Sequence, residues 1–153
     1  MGSYVVAIYS DLKDKVVLVT GGGSGIGESI VRRFAEQKCK VAFIDIAKDQ
    51  STRLAAELSG KDHQVLYEPA DLRDIAALRA AIARIAEHFG PIQILINNAA
   101  HDERHETRDV TPEYWDDRIA VNLRHQFFAA QAVLPAMQAA KQGVIINFGS
   151  ISW

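Results

Sequence analysis

The stretch Thr20-Gly21-Gly22-Gly23-Ser24-Gly25-Ile26-Gly27 limits what this chain can fold into more than any other. Before it, Val16, Val17, Leu18 and Val19 run without polar alternation, the pattern of a strand covered on both faces of a parallel sheet. After it, Ile30, Val31, Phe34 and Ala35 recur at three- and four-residue spacing as far as Gln37, with Glu28, Arg32, Arg33 and Glu36 between them. Strand, tight turn and helix in this order bring free backbone N–H groups and the positive helix end against a phosphate. The glycines let the chain reverse, let the backbone approach a ligand, and, at Gly27, let the helix pack close to the strand.

The alternation continues. Residues 41–44 read as a second buried strand ending at Asp45, 47–58 as a helix, and 63–67 as a third strand. Asp71 is placed to cap the next helix, with Asp74 adding charge to its first turn and Leu72, Ile75, Leu78, Ile82, Ile85 and Phe89 as its apolar stripe. Gly90-Pro91 ends it, and residues 92–96 form a fourth strand running into Asn97-Asn98-Ala99-Ala100. A charged loop spans 101–110, and Thr111-Pro112 opens another helix. A long helix follows over about 120–141, stopped by Gly143, with a fifth strand at 144–148. The order βαβαβαβαβ predicts an α/β fold, a doubly wound parallel sheet with right-handed crossovers.

The chain has 153 residues, 48% of them hydrophobic and 24% charged, enough for one domain with a real core. A net charge of −2 without any Lys/Arg-rich run argues against a nucleic-acid partner. Cys39 is the sole cysteine, so no intrachain disulfide forms and a reducing cytoplasm is the expected setting. The apolar piece from Tyr4 to Tyr9 has no basic flank and is too short to span a membrane, so no membrane association is expected. Residues 1–11 read as an N-terminal extension and 12–153 as a nucleotide-binding domain.

Asp45 stands at the carboxyl end of the second strand, where a carboxylate accepts both hydroxyls of an adenosine ribose. A 2′-phosphate would meet like charge there, and neither Ser24 nor Ile46 offers a cation to receive it, so the cofactor expected is NAD rather than NADP.

Thr20-Gly-x-x-x-Gly25-Ile26-Gly27, Asp71-Leu72, Asn97-Asn98-Ala99-Ala100, Val121-Asn122-Leu123 and Ile146-Asn147-Phe148-Gly149-Ser150 together resemble the short-chain dehydrogenase/reductase family. The resemblance covers the chain from about Leu12 onward and implies a Rossmann-type domain. It implies that Thr20, Gly21, Ser24, Gly25, Ile26 and Gly27 surround a pyrophosphate, that Asp45 and Ile46 meet the ribose, and that Asp71 and Leu72 hold the adenine. Asn97 and Ala99 would line the cofactor, and Asn98 would brace the sheet. Ala100 departs from the family's commoner glycine. Ser150 matches the serine that orients the substrate oxygen, and Asn122 the asparagine that bends the long helix and holds a water for proton relay. A strand-end serine satisfied by backbone and a mid-helix asparagine facing solvent are the structural alternatives.

The family's Tyr-x-x-x-Lys pair, its general acid/base, is not found after Ser150: Tyr4, Tyr9, Tyr67 and Tyr114 are in other elements, and Tyr9, which does have Lys13 at the fourth position, stands ahead of the first strand. The expectation is a portion of a longer enzyme that binds NAD without turning over, with a catalytically silent NAD-binding module as the alternative. In the family the long helix forms a subunit interface, and Val121, Leu123, Phe127, Phe128, Val133, Leu134 and Met137 spread around more than one of its faces. A homodimer or homotetramer through residues 120–141 is expected. Asn-Asn-Ala-Ala-His-Asp-x-Arg-His and Phe-Gly-Ser-Ile-Ser-Trp are similar to members acting on aldoses and polyols, with Arg104, His105 and the indole of Trp153 as candidate sugar contacts. Reduction of 3-oxoacyl thioesters or other carbonyl substrates is the rival within the family. His101, Asp102, Glu103 and His105 also suggest a metal, but an irregular loop and metal-free family chemistry argue for none.

Overall fold

The computed structural model describes residues 7–61 and 63–150. Trp153 lies outside them, as do residues 4–6 of the N-terminal apolar piece. Five parallel strands, β1 (Val16–Thr20), β2 (Lys40–Asp45), β3 (Gln64–Pro69), β4 (Ile94–Asn97) and β5 (Val144–Asn147), form one sheet in the order β3-β2-β1-β4-β5. The chain winds outward from β1 to β3, then returns to the other side of β1 with β4. That reversal leaves a crevice beyond the carboxyl ends of β1 and β4, the place where open α/β sheets bind ligands.

Helices α1 (Gly25–Glu36), α2 (Lys48–Ser59), α3 (Ile75–Phe89) and α5 (His125–Ala140) cover the sheet, which buries it in two layers, while α4 (Pro112–Ile119) has no buried residue. On one side Val17, Val19, Val41, Phe43 and Ile96 pack with Val31, Ala35, Leu54 and Leu58. On the other, Leu18, Ala42, Ile44 and Leu95 pack with Leu78, Ile82 and Ile85 of α3 and with Ala129, Val133 and Met137 of α5. Every residue of β1 is buried, as its unbroken apolar run requires. β5 lies at the edge, where Val144, Ile146 and Phe148 are exposed.

Several boundaries differ from the sequence reading. Asp71 does not cap α3: Asp74 does, its Oδ1 accepting from Ala76 N at 2.9 Å and Ala77 N at 3.1 Å, while Asp71 turns onto Arg73. β4 begins at Ile94, with Ile92 buried ahead of it, and β3 continues to Pro69. The long helix is two pieces, a π-helical turn over Ala120–Arg124 and then α5, and the turn joins it to α4 without a break. Its end at about Lys141 is as read, but the residue that stops it is Lys141 itself, in a left-handed conformation (φ 52°), rather than Gly143. Gly143 instead lies against Met137, where a Cβ would stand 2.5 Å from the methionine Cγ and Sδ. Thr111 caps α4 as expected, its Oγ1 accepting from Tyr114 N at 3.2 Å.

Candidate active site

A cleft of about 590 Å³ opens at the crevice, lined by Gly21 and Ser24 to Gly27 of the turn, by Asp45 and Ile46, by Ala70 to Arg73, by Asn98 to His101, and by Asp117, Arg118 and Val121. Its floor is tight where backbone must approach a ligand. A Cβ on Gly27 would stand 1.8 Å from the Gly21 carbonyl oxygen, and one on Gly21, whose φ is +67°, would stand 2.7 Å from Ala99 Cα. Gly25 takes φ +55° with nothing within 4 Å of its Cβ position, so the turn there faces open space. The first four N–H groups of a helix have no partner inside it, and those of α1 start at this turn. This is a cradle of backbone donors at a positive helix end, which fits a phosphate-bearing ligand.

Asp45 is aimed by backbone on both sides. Its Oδ2 accepts from Gly23 N at 2.8 Å and its Oδ1 from Ala47 N at 2.9 Å. Each carboxylate oxygen keeps a further lone pair for a hydroxyl donor. Tyr67, stacked on Phe43, donates its hydroxyl to the Asp45 carbonyl at 3.1 Å and closes the space behind it.

At the other end of the cleft the Asp71 carboxylate is gripped by Arg73, through Nε at 3.0 and 3.1 Å, Nη2 at 2.7 Å, and the backbone N at 2.9 Å. The hydrogen bonds from the Arg73 side chain hold the Asp71 carboxyl below the usual carboxylate range, against the opposing effect of its partial burial. Arg73 Nη1 also reaches Asp117 at 2.8 Å, Asp117 pairs with Arg118, and Arg118 faces Glu103 at 3.7 Å. Both arginines that line the cleft are therefore countered by carboxylates. The sequence reading gave Arg73, Asp117 and Arg118 no role.

Thr20 and Asn97, expected at the cofactor, are both fully buried beneath the cleft and do not line it. Thr20 Oγ1 accepts from Asn98 N at 3.0 Å and Ala99 N at 3.1 Å, tying β1 to the end of β4. The Asn97 amide turns sideways, donating to Asn147 Oδ1 at 2.8 Å and to the Gln126 carbonyl at 3.3 Å. Asn98 Nδ2 donates to the carbonyls of Thr20 and Gly21, each at 3.1 Å, so the second asparagine spans β1 and β4. Gly21, Ser24, Gly25, Ile26, Gly27, Asp45, Ile46, Asp71, Leu72 and Ala99 all line the cleft.

Asn122 sits in the π-helical turn and does not face solvent idly. Its Oδ1 accepts from His101 N at 2.7 Å and its Nδ2 donates to the His101 carbonyl at 3.2 Å. The π-turn thus fixes the loop after β4 at the cleft mouth, in keeping with the frequent occurrence of such bulges at functional sites. Ser150 is exposed, two residues past Phe148, whose N donates to the Asn97 carbonyl at 2.9 Å, and it is not among the residues lining the cleft. In the charged loop, His105 Nδ1 meets the Tyr114 hydroxyl at 2.9 Å. Among the described residues no three His, Cys, Asp or Glu side chains come together as a metal site, and no helix is long and apolar enough to cross a membrane.

The switch-point cleft, its glycine cradle and its strand-end carboxylate define a nucleotide-binding α/β domain of the doubly wound class. More narrowly, the chain belongs to the short chain dehydrogenase family, whose model matches residues 15–152. It is 49% identical to a D-xylose 1-dehydrogenase of Caulobacter vibrioides over 147 residues, 96% of this chain and 58% of the relative. It is 46% identical to a probable galactose dehydrogenase, GalD, of Rhizobium meliloti, over 95% of this chain and 57% of the relative. The chain thus spans less than two thirds of the length of the curated relatives it matches. Among solved structures it resembles a metagenomic short-chain oxidoreductase in complex with NADP, with a TM-score of 0.87, 29% identity, and coverage of 94% of this chain and 65% of that one. It also resembles an actinorhodin polyketide ketoreductase with NADPH, with a TM-score of 0.85, 29% identity, and coverage of 94% and 55%.

Proposed function

We propose that this chain is the cofactor-binding portion of an NAD-dependent oxidoreductase that moves hydride between nicotinamide and a hydroxyl or carbonyl carbon of a sugar. The observation that carries the reading is Asp45, a carboxylate held by two backbone N–H groups at the strand end beside the glycine cradle. Two ribose hydroxyls donate to it, whereas a 2′-phosphate is repelled. Arg73 and Arg118 do not relieve that repulsion, since each is already engaged by carboxylates. The backbone of Gly21 to Gly27 receives the pyrophosphate at the start of α1, and Ile46 and Leu72 give the adenosine apolar walls.

When bound, the nicotinamide supplies the hydride acceptor or donor. The residues of this chain bind and orient it, with Asn122 fixing the His101 backbone and Ser150 assigned to polarise the substrate oxygen. Tyr9 and Lys13 have the Tyr-x-x-x-Lys spacing but stand ahead of β1 and do not line the cleft, so what is assigned to these residues is binding and orientation, and turnover is assigned to a protein that carries the pair at the cleft. The names of the D-xylose and galactose dehydrogenases support an aldose over a 3-oxoacyl thioester. Leu123, Phe127 and Leu134 are exposed on the face of the π-turn and α5 turned away from the core, which supports a homo-oligomer through this helix.

The test is turnover by the protein that carries these residues together with the Tyr/Lys pair. NADH formation on an aldose panel is expected, with no NADH consumption on acetoacetyl thioesters. Thioester reduction without aldose oxidation ends the sugar assignment. Sedimentation of that protein as a monomer ends the interface assignment.

A further inference from the structure

His125 opens α5 and is fully buried, directly beneath the cleft. It has no place in the functional scheme above. It begins the line His125, Ala129, Val133, Met137, all buried on the face of α5 that packs against the sheet. An imidazole in that line makes a lone polar contact to β1: its Nε2 lies 3.3 Å from Thr20 Oγ1.

The direction of that hydrogen bond follows from counting. A threonine hydroxyl has two lone pairs and one hydrogen. Both lone pairs of Thr20 Oγ1 are taken by the amides of Asn98 and Ala99. The hydroxyl hydrogen is left to donate, and His125 Nε2 receives it. The imidazole is then neutral, with its proton on Nδ1, a buried atom with no hydrogen-bond partner among the described residues. An imidazole carrying hydrogen on Nε2 would point a third donor at an oxygen with no lone pair left, and would orphan the hydroxyl hydrogen inside the protein.

We propose that His125 is a positioning residue for the cofactor cleft. It sets the rotation of the Thr20 hydroxyl, so that the oxygen presents both lone pairs to the Asn98 and Ala99 amides and holds the turn after β1 against the end of β4. The junction has little slack. Gly21 packs against Ala99 so closely that a Cβ would meet the Ala99 backbone at 2.7 Å, and Asn98 braces the Thr20 and Gly21 carbonyls. A Thr20 hydroxyl without an acceptor turns away, one of the Asn98 and Ala99 amides just after β4 loses its partner, and the Gly21 to Ala99 contact that forms the cleft floor opens. The cofactor readout rests on the nicotinamide reading above, but the tautomer does not.

Two measurements test the role. In the imidazole nitrogen spectrum of the unmodified protein without cofactor, His125 is expected as the neutral Nδ1–H form with an unprotonated, hydrogen-bond-accepting Nε2. An Nε2–H tautomer, or an imidazolium at neutral pH, overturns the proposal. For binding, His125→Gln keeps an acceptor near the position of Nε2, and His125→Leu removes it at similar volume. NAD affinity is expected to fall at least about five-fold in His125→Leu, the size of one lost hydrogen bond. It is expected to stay within about two-fold of the unmodified protein in His125→Gln. Equal losses in both variants, or none in His125→Leu, overturn the proposal. If His125→Leu does not fold, the spectrum and the His125→Gln titration decide. If the unmodified protein binds neither NAD nor NADP, the cofactor reading fails, while the spectrum still supports or overturns the role of His125.

Discussion

Replacing Gly27 by alanine probes the cradle at its tightest point. The added Cβ would stand 1.8 Å from the Gly21 carbonyl oxygen and 2.7 Å from Asn98 Nδ2. Non-bonded carbon and oxygen do not approach within 3.0 Å, so the start of α1 and the turn after β1 must part by more than an ångström. Overpacking a well-filled site costs ~1–3 kcal/mol, and here the opposing atoms are backbone, so the upper end, about 3 kcal/mol, is expected. For a chain of this size each kcal/mol lowers Tm by about 2–4 °C, which gives a fall of about 6–12 °C. NAD affinity is expected to drop at least about ten-fold, because the displaced pieces are the ones that receive the pyrophosphate. Gly25→Ala is the internal control. Nothing lies within 4 Å of its Cβ position, and its φ of +55° adds only the left-handed backbone cost of ~1–2 kcal/mol. Thermal melts and NAD titrations of both variants check this. A Gly27→Ala protein that melts at or above the Gly25→Ala protein refutes the close contact of helix and turn.

Two further outcomes follow from the electrostatics of the site. Burial pushes the His125 imidazole below its ordinary pKa of 6.5, with the Val121 carbonyl opposing part of that shift. As pH falls the unfolded chain takes up this proton first, so the contribution of His125 is intact above about pH 6.5 and is lost below it. Urea midpoints should therefore fall between pH 7.5 and 5.5 by more in the unmodified protein than in His125→Gln, and equal falls contradict the buried neutral state. The Asp71 carboxyl, held low by Arg73, should titrate closer to an ordinary aspartate in Arg73→Ala when followed by carboxyl NMR. Because these ion pairs are solvent-exposed, the same variant should lose at most ~1 kcal/mol of stability. An unchanged Asp71 titration contradicts the pairing.

The features legible in the sequence were the ones written locally. The unbroken run from Val16 to Val19, the glycine turn and the strand-end Asp45 each carry their geometry in neighbouring residues, and together they located the switch-point cleft. The α3 cap was misplaced because Asp71 and Asp74 are both competent caps three residues apart. The choice between them was made by Arg73, which occupies Asp71 and leaves Asp74 to the helix. The burial of Thr20 and Asn97 depends on pairing across β1, β4 and β5, contacts that the spacing of residues does not state. The π-turn was missed because an extra residue per turn leaves the apolar pattern around Val121 and Leu123 readable as ordinary helix. His125 did leave a signal: a histidine four residues before Ala129 on a line that is otherwise apolar. Its meaning needed Thr20, which is 105 residues distant.

The central claim is that Asp45 makes this cleft a site for NAD, and direct titration of the unmodified protein and of Asp45→Ala with NAD and NADP tests it most directly. The account predicts that the unmodified protein binds NAD at least about ten-fold more tightly than NADP, a difference of ~1.4 kcal/mol. It further predicts that Asp45→Ala loses NAD affinity far more than NADP affinity, which erases the preference. Equal or tighter binding of NADP by the unmodified protein, or equal loss of both cofactors in Asp45→Ala, would contradict it.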